Sequence, residues 1–257
     1  MILCLDVGNS HIYGGVYDGE TILLRFRHET HRRSTSDQLG VFLKAVLREN
    51  NNLNAEDITA IGISSVVPSI DYSLGSACIK YFNREPFWLR PGVKTGLKLK
   101  IKHVNEVGSD LIATAIAGLQ QVPNRNLIIA DLGTVNTFVA INKDKEFLGC
   151  VFNPGMRTSM RALDSATDQL HEVQIVTPTH VLGRDTTSAV QAGLYFGQIG
   201  AFKEIIAGIT QEVFAEDGPF VIGTGGFAHL LENEKIFHKI MPDLVLSGIK
   251  LALEMNR

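Results

Sequence analysis

The chain alternates between two patterns of hydrophobic and polar positions, and their order predicts an α/β fold. Short apolar runs bounded by polar turns indicate strands, and apolar residues at helical spacing indicate helices. In the first half, strands are expected at residues 2–5, 12–17, 22–27, 60–66 and 86–89. Helices are expected from Ser36 to about Leu47 and over residues 71–82 and 107–120.

The same order restarts after a turn-rich break at Val122-Pro123-Asn124. Strands are expected at residues 127–130, 138–141, 147–152 and 219–222, and helices over 154–163, 186–215, the segment after Gly226 and 242–255. Three strands, a helix, a strand and a helix, repeated, resemble the ribonuclease-H-like halves of the actin-like ATPases. We therefore expect an α/β fold with two such halves, residues 1–121 and 122–257. Each half is a mixed sheet flanked by helices, with a nucleotide cleft between the two.

Composition narrows the class of partner. The 257 residues are 45% apolar and 20% charged, which is ordinary for a globular protein of one large or two smaller domains. A net charge of −3 and no basic run longer than Arg32-Arg33 argue against a nucleic-acid partner. The first apolar run ends at Asp6 and no stretch of about 20 apolar residues follows, so no membrane association and a cytoplasmic location are expected. The three cysteines, which lack metal-type spacing, are expected to be reduced core residues.

Two similar loops follow buried strands and suggest phosphate binding. The first is Asp6-Val7-Gly8-Asn9-Ser10 and the second is Asp131-Leu132-Gly133-Thr134. An aspartate there can hold a hydrated cation, glycine admits backbone N–H groups to phosphate oxygens, and hydroxyl or amide side chains add donors. The alternative is a strand end followed by an Asx turn. A third loop, Gly223-Thr224-Gly225-Gly226, is either a flexible turn or a flat backbone surface for adenine or ribose. Together and in this order, the three loops predict a nucleotide site.

Two further segments are candidates for the acceptor side of a phosphoryl transfer. Asp110 stands where an apolar helix begins, and it is either the base for an acceptor hydroxyl or an acid that favours the helix dipole beside a Ser109 cap. The segment from Gly183 to Thr187 is either a helix N-cap or a substrate contact, and the residues alone leave both open.

With these motifs in place, the chain closely resembles the type III pantothenate kinases, also called the Bvg accessory factor family, over nearly all of its length. The segments that carry the resemblance are Asp6 to His11, Glu106 to Asp110, Asp131 to Thr134, Asn153-Pro154-Gly155, Gly183 to Thr186, Thr224-Gly225-Gly226 and Pro242-Asp243-Leu244. The resemblance implies ATP-dependent phosphorylation of pantothenate to 4′-phosphopantothenate, the first step of coenzyme A synthesis. It also implies Mg²⁺, a monovalent cation (K⁺ or NH₄⁺), and a homodimer with the substrate pocket at the subunit interface.

The resemblance also assigns roles by position. It implies ATP contacts at Asp6, Val7, Gly8, Asn9, Ser10, His11, Ile12, Tyr13, Thr134, Gly225 and Gly226. It implies pantothenate contacts at Ile101, Gly108, Ser109, Asp110, Leu111 and Thr186. Asp110 is then the proton acceptor, and Asp131 holds the monovalent cation.

Some positions depart from the family pattern, mostly on the substrate side. The family usually reads G-A-D-R where this chain has Gly108-Ser109-Asp110-Leu111, and an upstream aromatic residue is replaced by Ile101. The second loop continues as Val135-Asn136-Thr137 where A-T-T is typical. Leucine cannot make the charge-assisted bond that arginine makes to a carboxylate. Losing this bond would weaken substrate binding by about 1.5–3 kcal/mol, or about 10–100-fold.

Three functions therefore stay open: a pantothenate kinase, a non-catalytic relative acting as a regulatory or interaction protein, and a kinase for another small hydroxyl compound. Leu111 and Ile101 favour the second. The intact aspartates, Asp6, Asp110 and Asp131, oppose it.

Overall fold

The computed structural model describes residues 1–51 and 53–257, which form two compact units. Unit 1 comprises Met1–Gly96, Lys102–Ala117 and Leu244–Arg257, and unit 2 comprises Leu97–Ile101 and Gly118–Asp243. The main part of unit 2 begins at Gly118, close to the expected break after residue 121, and the chain returns to unit 1 for its last helix.

Unit 1 is built on a five-stranded mixed sheet with the order β3-β2-β1-β4-β5. The strands are β1 (Ile2–Val7), β2 (His11–Asp18), β3 (Thr21–Glu29), β4 (Ala60–Ser65) and β5 (Phe87–Trp88). Its helices, numbered in chain order, are α1 (Ser36–Asn51), α2 (Pro68–Phe82), the first part of α3 (Ser109–Gln121) and α6 (Leu244–Met255). β1 runs antiparallel to β2 and parallel to β4, in a register that sets Asp6 beside Ser64.

The last helix, α6, packs on the sheet of unit 1. A Cβ atom on Gly62 of β4 would come within 2.8 Å of Ile249 Cγ2, so glycine provides the room for this close approach. Most of the helix is buried, including Leu246 and Leu253. A helix that is apolar around most of its surface must be covered on several sides, and the sequence alone does not say which sheet covers it.

Unit 2 is built on a six-stranded mixed sheet with the order β11-β10-β7-β8-β9-β6. The strands are β6 (Lys98–Leu99), β7 (Leu127–Leu132), β8 (Val135–Ile141), β9 (Glu146–Pro154), β10 (Phe220–Thr224) and β11 (Lys239–Ile240). Helices α4 (Met156–Ala166) and α5 (Thr186–Val213) belong to this unit. The rings of Phe138 and Phe202 meet edge to face, 4.6 Å between centroids, where α5 packs on the sheet.

The expected α/β architecture of two mixed sheets flanked by helices is confirmed, with a few local differences. The segment expected as a helix after Gly226 is a 3₁₀ helix, Ala228–Glu234. α2 begins at Pro68 rather than at residue 71, because proline suits the first helical position. Cys4 and Cys78 are buried, but Cys150 is exposed on β9 and is not a core residue. Within the described part of the chain, no helix is long and apolar enough to cross a membrane.

Candidate functional site

The first loop of unit 1 is a tight connection between β1 and β2, closed by a hydrogen bond from Gly8 N–H to the carbonyl of His11 at 3.0 Å. The residue after β3 holds it from the side: Thr30 Oγ1 donates to the carbonyl of Gly8 at 2.7 Å, and Thr30 N–H donates to that of Ser10 at 3.0 Å. Sequence reasoning missed Thr30. The signal was present, because a β2–β3 hairpin that pairs His11 with Glu29 sets residue 30 beside residue 10.

A cation also reaches the first loop. The guanidinium of Arg32 donates to Asn9 Oδ1 at 3.3 Å, and both side chains are exposed. Sequence reasoning considered Arg32 only as a possible nucleic-acid contact. An arginine at a glycine loop is suited to phosphate oxygens, because its fork of N–H donors matches them.

The side chains of the first loop differ in what they can offer a nucleotide. Those of Val7 and Ile12 are buried in the core of unit 1 and cannot reach a ligand. Asn9 is exposed, and Ser10, His11 and Tyr13 are half-buried. Asp6 stands at the end of β1 with its Oδ1 atom excluded from solvent. This loop therefore presents backbone N–H groups and polar side chains around one partly buried carboxylate.

Asp110 lies in the first turn of α3, where backbone groups hold its carboxylate. Leu111 N–H donates to Asp110 Oδ1 at 2.8 Å. Burial raises the pKa of Asp110, and the hydrogen bonds from the N–H groups of Leu111 and of Asp110 itself oppose that rise. A Cβ atom on residue 108 would lie 2.3 Å from Asp110 Oδ1, so Gly108 leaves the space that the carboxylate occupies.

Of the two residues next to Asp110 in α3, one is hydrogen-bonded within the protein and the other is buried. Ser109 Oγ donates to the carbonyl of Ser65 at 3.1 Å, and it lies 2.9 Å from Ser64 Oγ. The side chain of Leu111 is only 6% exposed. In the segment from 108 to 111, the carboxylate of Asp110 is therefore the group best suited to act on a substrate.

The second and third loops meet in unit 2. Asp131 stands half-buried at the end of β7, and Gly225 follows β10 with a φ of +90°. A Cβ atom on Gly225 would lie 2.2 Å from Asp131 Oδ1 and 2.6 Å from the carbonyl oxygen of Leu132. Only glycine fits this position, because both the dihedral angle and the packing exclude a side chain. Gly226 beside it is exposed.

Thr134 is exposed at the tip of the second loop, and its carbonyl is held by the segment that follows β9. Gly155 N–H donates to this carbonyl at 3.2 Å, and Thr158 Oγ1 donates to it at 2.5 Å. A Cβ atom on Gly155 would be 2.1 Å from the carbonyl oxygen of Gly133. The segment after β9 thus fixes the backbone from which the hydroxyl of Thr134 projects.

Thr186 begins α5 and lines a cavity of about 1070 Å³ between α4 and α5. Asp185 is the N-cap of α5, because its side chain accepts a hydrogen bond from Ser188 N–H at 2.8 Å. This bond, together with one from the side chain of Ser188, holds the pKa of Asp185 below its usual value. The N-cap interpretation of this segment is thereby confirmed for Asp185, and Thr186 remains available to a ligand. Among the described residues, Arg184 is the one cationic side chain that lines the cavity.

One expected site residue lies apart from these loops and offers little chemistry. Ile101, half-buried, follows β6 in unit 2. Within residues 1–51 and 53–257, no group of three or more histidine, cysteine, aspartate or glutamate side chains is arranged so that it could hold a metal ion. Mg²⁺ in phosphoryl-transfer sites is commonly held by one or two carboxylates together with substrate phosphates and water.

Comparison with known sequences identifies relatives of the same length. A family model described as type III pantothenate kinase matches residues 2–208. A type III pantothenate kinase of Legionella pneumophila (strain Corby) is 52% identical over 256 residues, covering 100% of this chain and 99% of the relative. One from Elusimicrobium minutum is 46% identical over 257 residues, covering 100% and 99%. One from Francisella tularensis subsp. holarctica is 45% identical over 257 residues and covers both chains fully.

Solved structures share the fold at low sequence identity. A Baf family protein of Campylobacter jejuni, described as a transcriptional activator, aligns with a TM-score of 0.57 at 18% identity and covers 99% of this chain and 98% of its own. An archaeal actin homologue aligns with a TM-score of 0.55 at 15% identity and coverages of 98% and 99%. An N-acetylglucosamine kinase from Porphyromonas gingivalis gives 0.55 at 12% identity, with coverages of 97% and 98%. These similarities support an actin-like and sugar-kinase-like fold.

Proposed function

Because the chain belongs to the type III pantothenate kinase family, we propose that it transfers the γ-phosphoryl group of ATP to the terminal hydroxyl of pantothenate. The observation that carries the proposal is the half-buried carboxylate of Asp110. Its pKa is raised, and the absence of a side chain on Gly108 leaves the space in which it lies. The full-length relatives at 45–52% identity support it.

In this reaction, the hydroxyl oxygen forms a new bond to the γ-phosphorus while the bond from that phosphorus to the bridging oxygen of ADP breaks. Asp110 accepts the hydroxyl proton, and ADP leaves with the electron pair of the broken bond. A base with a raised pKa holds this proton better than an ordinary carboxylate does. The Asp110 carboxylate is also kept in one orientation by its bond from Leu111 N–H.

The two phosphate loops supply donors and carboxylates for the nucleotide. The first loop offers backbone N–H groups near Gly8, with Arg32 as an additional cation. The second loop offers the hydroxyl of Thr134 on a backbone fixed by Gly155. Asp6 and Asp131, the partly buried carboxylates at the strand ends, suit Mg²⁺ and a monovalent cation such as K⁺ or NH₄⁺. Bound Mg²⁺ would neutralise negative charge on the phosphates.

The direct test measures ADP release by the purified protein with pantothenate, and then with a panel of other small alcohols. Turnover with pantothenate and formation of 4′-phosphopantothenate by mass spectrometry would support the proposal. Turnover only with another alcohol would reassign the substrate. ATP binding without turnover on any acceptor would favour the non-catalytic relative.

We also propose a cytoplasmic homodimer. Phe152, Val181 and Leu182 of unit 2 are large apolar side chains that are exposed in a single chain and that a subunit interface on this unit would cover. Light scattering after size exclusion at several protein concentrations tests the dimer. A monomer throughout the range would contradict it.

A monovalent cation at Asp131 predicts a specific dependence on the ion supplied. We expect activity in K⁺ or NH₄⁺ and little in a bulky organic cation, and we expect Asp131→Ala to remove both this dependence and most of the activity. Initial rates across the ion series test this, with Asp144→Ala in the exposed β8–β9 turn as the control. Equal rates in every ion for the unchanged protein would rule out the assignment.

Leu111→Arg is expected to strengthen pantothenate binding by up to about 10–100-fold, the worth of one charge-assisted bond. The gain should appear mainly in KM, because a carboxylate remote from the reacting hydroxyl is bound alike in the ground and transition states. The same change replaces a buried leucine with a charged side chain, so stability should fall by at least about 1.5–3 kcal/mol, the worth of the lost burial.

Leu111→Met is the matched control, because it keeps an apolar side chain of similar size. It should change neither KM nor the melting temperature appreciably. Calorimetric titration of pantothenate with an ATP analogue present decides the question. Equal affinities of the unchanged and arginine proteins would mean that another group, such as Arg184, already binds the carboxylate.

A further inference from the structure

Two amide side chains are buried against each other in unit 2. Asn136 on β8 is 2% exposed and Gln198 on α5 is 7% exposed. Asn136 Nδ2 donates to Gln198 Oε1, and both amides also donate to the carbonyl of Pro154: Gln198 Nε2 at 3.1 Å and Asn136 Nδ2 at 3.4 Å. The pair therefore binds one backbone carbonyl at the end of β9 from two sides.

That carbonyl belongs to the residue directly before the contact with the second phosphate loop. Gly155 N–H donates to the carbonyl of Thr134, and the packing of Gly155 on Gly133 leaves no space for a Cβ atom. The Pro154 carbonyl and the Gly155 N–H belong to one peptide group, so a shift of this carbonyl also moves the N–H group that bonds Thr134. Hydrogen bonds on the two sides of this peptide therefore connect the amide pair to the loop.

The other member of the pair belongs to the helix that borders the large cavity. Gln198 and Pro154 both line this cavity, and Thr186 lines it at the start of α5. The amide pair thus joins the wall that carries Thr186 to the strand end that supports Thr134.

Stability alone gives little reason to bury two amides here. Replacing both partners of a buried hydrogen bond with apolar groups of similar shape is often nearly neutral. What an apolar pair lacks is direction, because only hydrogen bonds hold a carbonyl at a defined position and angle.

We propose that Asn136 and Gln198 act together as positioning residues, fixing the second phosphate loop for the nucleotide and holding α5 in register with it. This role rests on the proposed function, since it assigns the nucleotide to that loop. Neither side chain needs to touch the substrate. They act through the carbonyl of Pro154 and the backbone of Gly155.

The test compares Asn136→Leu, Gln198→Met and the double variant with the unchanged protein. Each single change leaves one buried amide with reduced hydrogen bonding, so both should lower the melting temperature. The double variant should lose less stability than the two single losses added together, because neither amide remains, and the loss that is left reflects the Pro154 carbonyl without its side-chain donors. Gln191→Met on the same helix is the control, since its amide bonds the carbonyl of Gln174 and does not contact Pro154.

Nucleotide affinity, measured by titrating a fluorescent ATP analogue, separates positioning from simple packing. We expect the double variant to bind about 10-fold more weakly than the unchanged protein at a temperature where both are fully folded. Wild-type affinity in the folded double variant would overturn the inference. Absence of nucleotide binding in the unchanged protein would instead overturn the proposed function.

Hydrogen exchange of the ligand-free protein provides a readout that does not depend on nucleotide. The amide hydrogen of Gly155 should exchange about 10-fold faster in the double variant, because the carbonyl beside it has lost both side-chain donors. Exchange in α2 of unit 1 serves as the internal reference. Unchanged exchange at Gly155 would overturn the inference, whether or not the protein proves to be a kinase.

Discussion

Asp110→Asn is expected to lower kcat by about 10²–10⁴-fold while ATP affinity stays nearly unchanged. Asparagine keeps the size of the side chain and an oxygen that can accept the hydrogen bond from Leu111 N–H. It cannot accept the proton of the acceptor hydroxyl. Steady-state kinetics together with direct titration of an ATP analogue measure both quantities.

The pH dependence of kcat should identify the same group. A base works in its deprotonated form, and burial raises the pKa of Asp110. Activity should therefore fall with decreasing pH at a higher pH than an ordinary aspartate would give. The acidic limb of the profile should be absent from the residual activity of Asp110→Asn.

The raised pKa also predicts the sign of a change in stability. When a carboxyl group has a higher pKa in the folded than in the unfolded protein, its ionised form destabilises the fold, and this effect is present above the folded pKa. Asp110→Asn should therefore melt at or above the temperature of the unchanged protein at neutral pH. The difference in melting temperature should diminish as the pH falls, first through the pKa of the folded state and then through that of the unfolded state. Below both values the carboxyl group is protonated in both states.

Asp144→Asn, in an exposed turn of unit 2, provides the matched control and should alter neither kcat nor stability. A near-normal kcat for Asp110→Asn would exclude this residue as the base. A large loss of both kcat and melting temperature would point to a structural role instead.

Most of the fold was predictable because strand ends and helix faces depend on local sequence. Strand β1 ends at an aspartate and a glycine turn, and so does β7, which suffices to place both loops at sheet edges. The two-residue strands β6 and β11 were not predicted, because each consists of a lysine and one apolar residue and lies in no continuous apolar run, whereas the equally short β5 lies in the run predicted at residues 86–89. The position of α6 depends on which sheet has room for it, and that room comes from Gly62 far away in sequence.

The candidate site was predictable as a set of loops but not as a set of contacts. Nothing near Gly225 in sequence indicates that it packs on Asp131, because this contact joins residues on neighbouring strands. The burial of Leu111 could not be predicted from the sequence either. α3 is buried around most of its circumference, so helical spacing does not separate an inward from an outward face. Thr30 was missed although the predicted β2–β3 hairpin sets it beside Ser10, and the Asn136–Gln198 pair was missed because single polar residues have no distinctive pattern.

The contact at Gly225 leads to the second large expected effect, a loss of stability in Gly225→Ala of about 2–6 kcal/mol. One part is backbone strain, since a φ of +90° is unfavourable for any residue with a Cβ atom. The other part is steric. The new methyl group would lie 2.6 Å and 2.7 Å from the backbone oxygen and nitrogen of Leu132, which cannot turn away as a side chain can.

The same methyl group would meet Asp131 Oδ1 at 2.2 Å, so the carboxylate must move as well. Gly225→Ala should therefore lose most of its activity, and activity that survives should respond less to K⁺. Calorimetry should show a melting temperature lower by roughly 5–20 °C, given about 2–4 °C per kcal/mol for a chain of this size. Gly208→Ala is the control: it lies within α5 with no atom near the added Cβ, and alanine there should be neutral or stabilise by about 0.5–1 kcal/mol. A Gly225→Ala protein that has the melting temperature of the unchanged protein and the same dependence of activity on K⁺ would contradict this prediction. The third loop could then move away from Asp131 without a loss of stability, and its packing there would not hold the carboxylate.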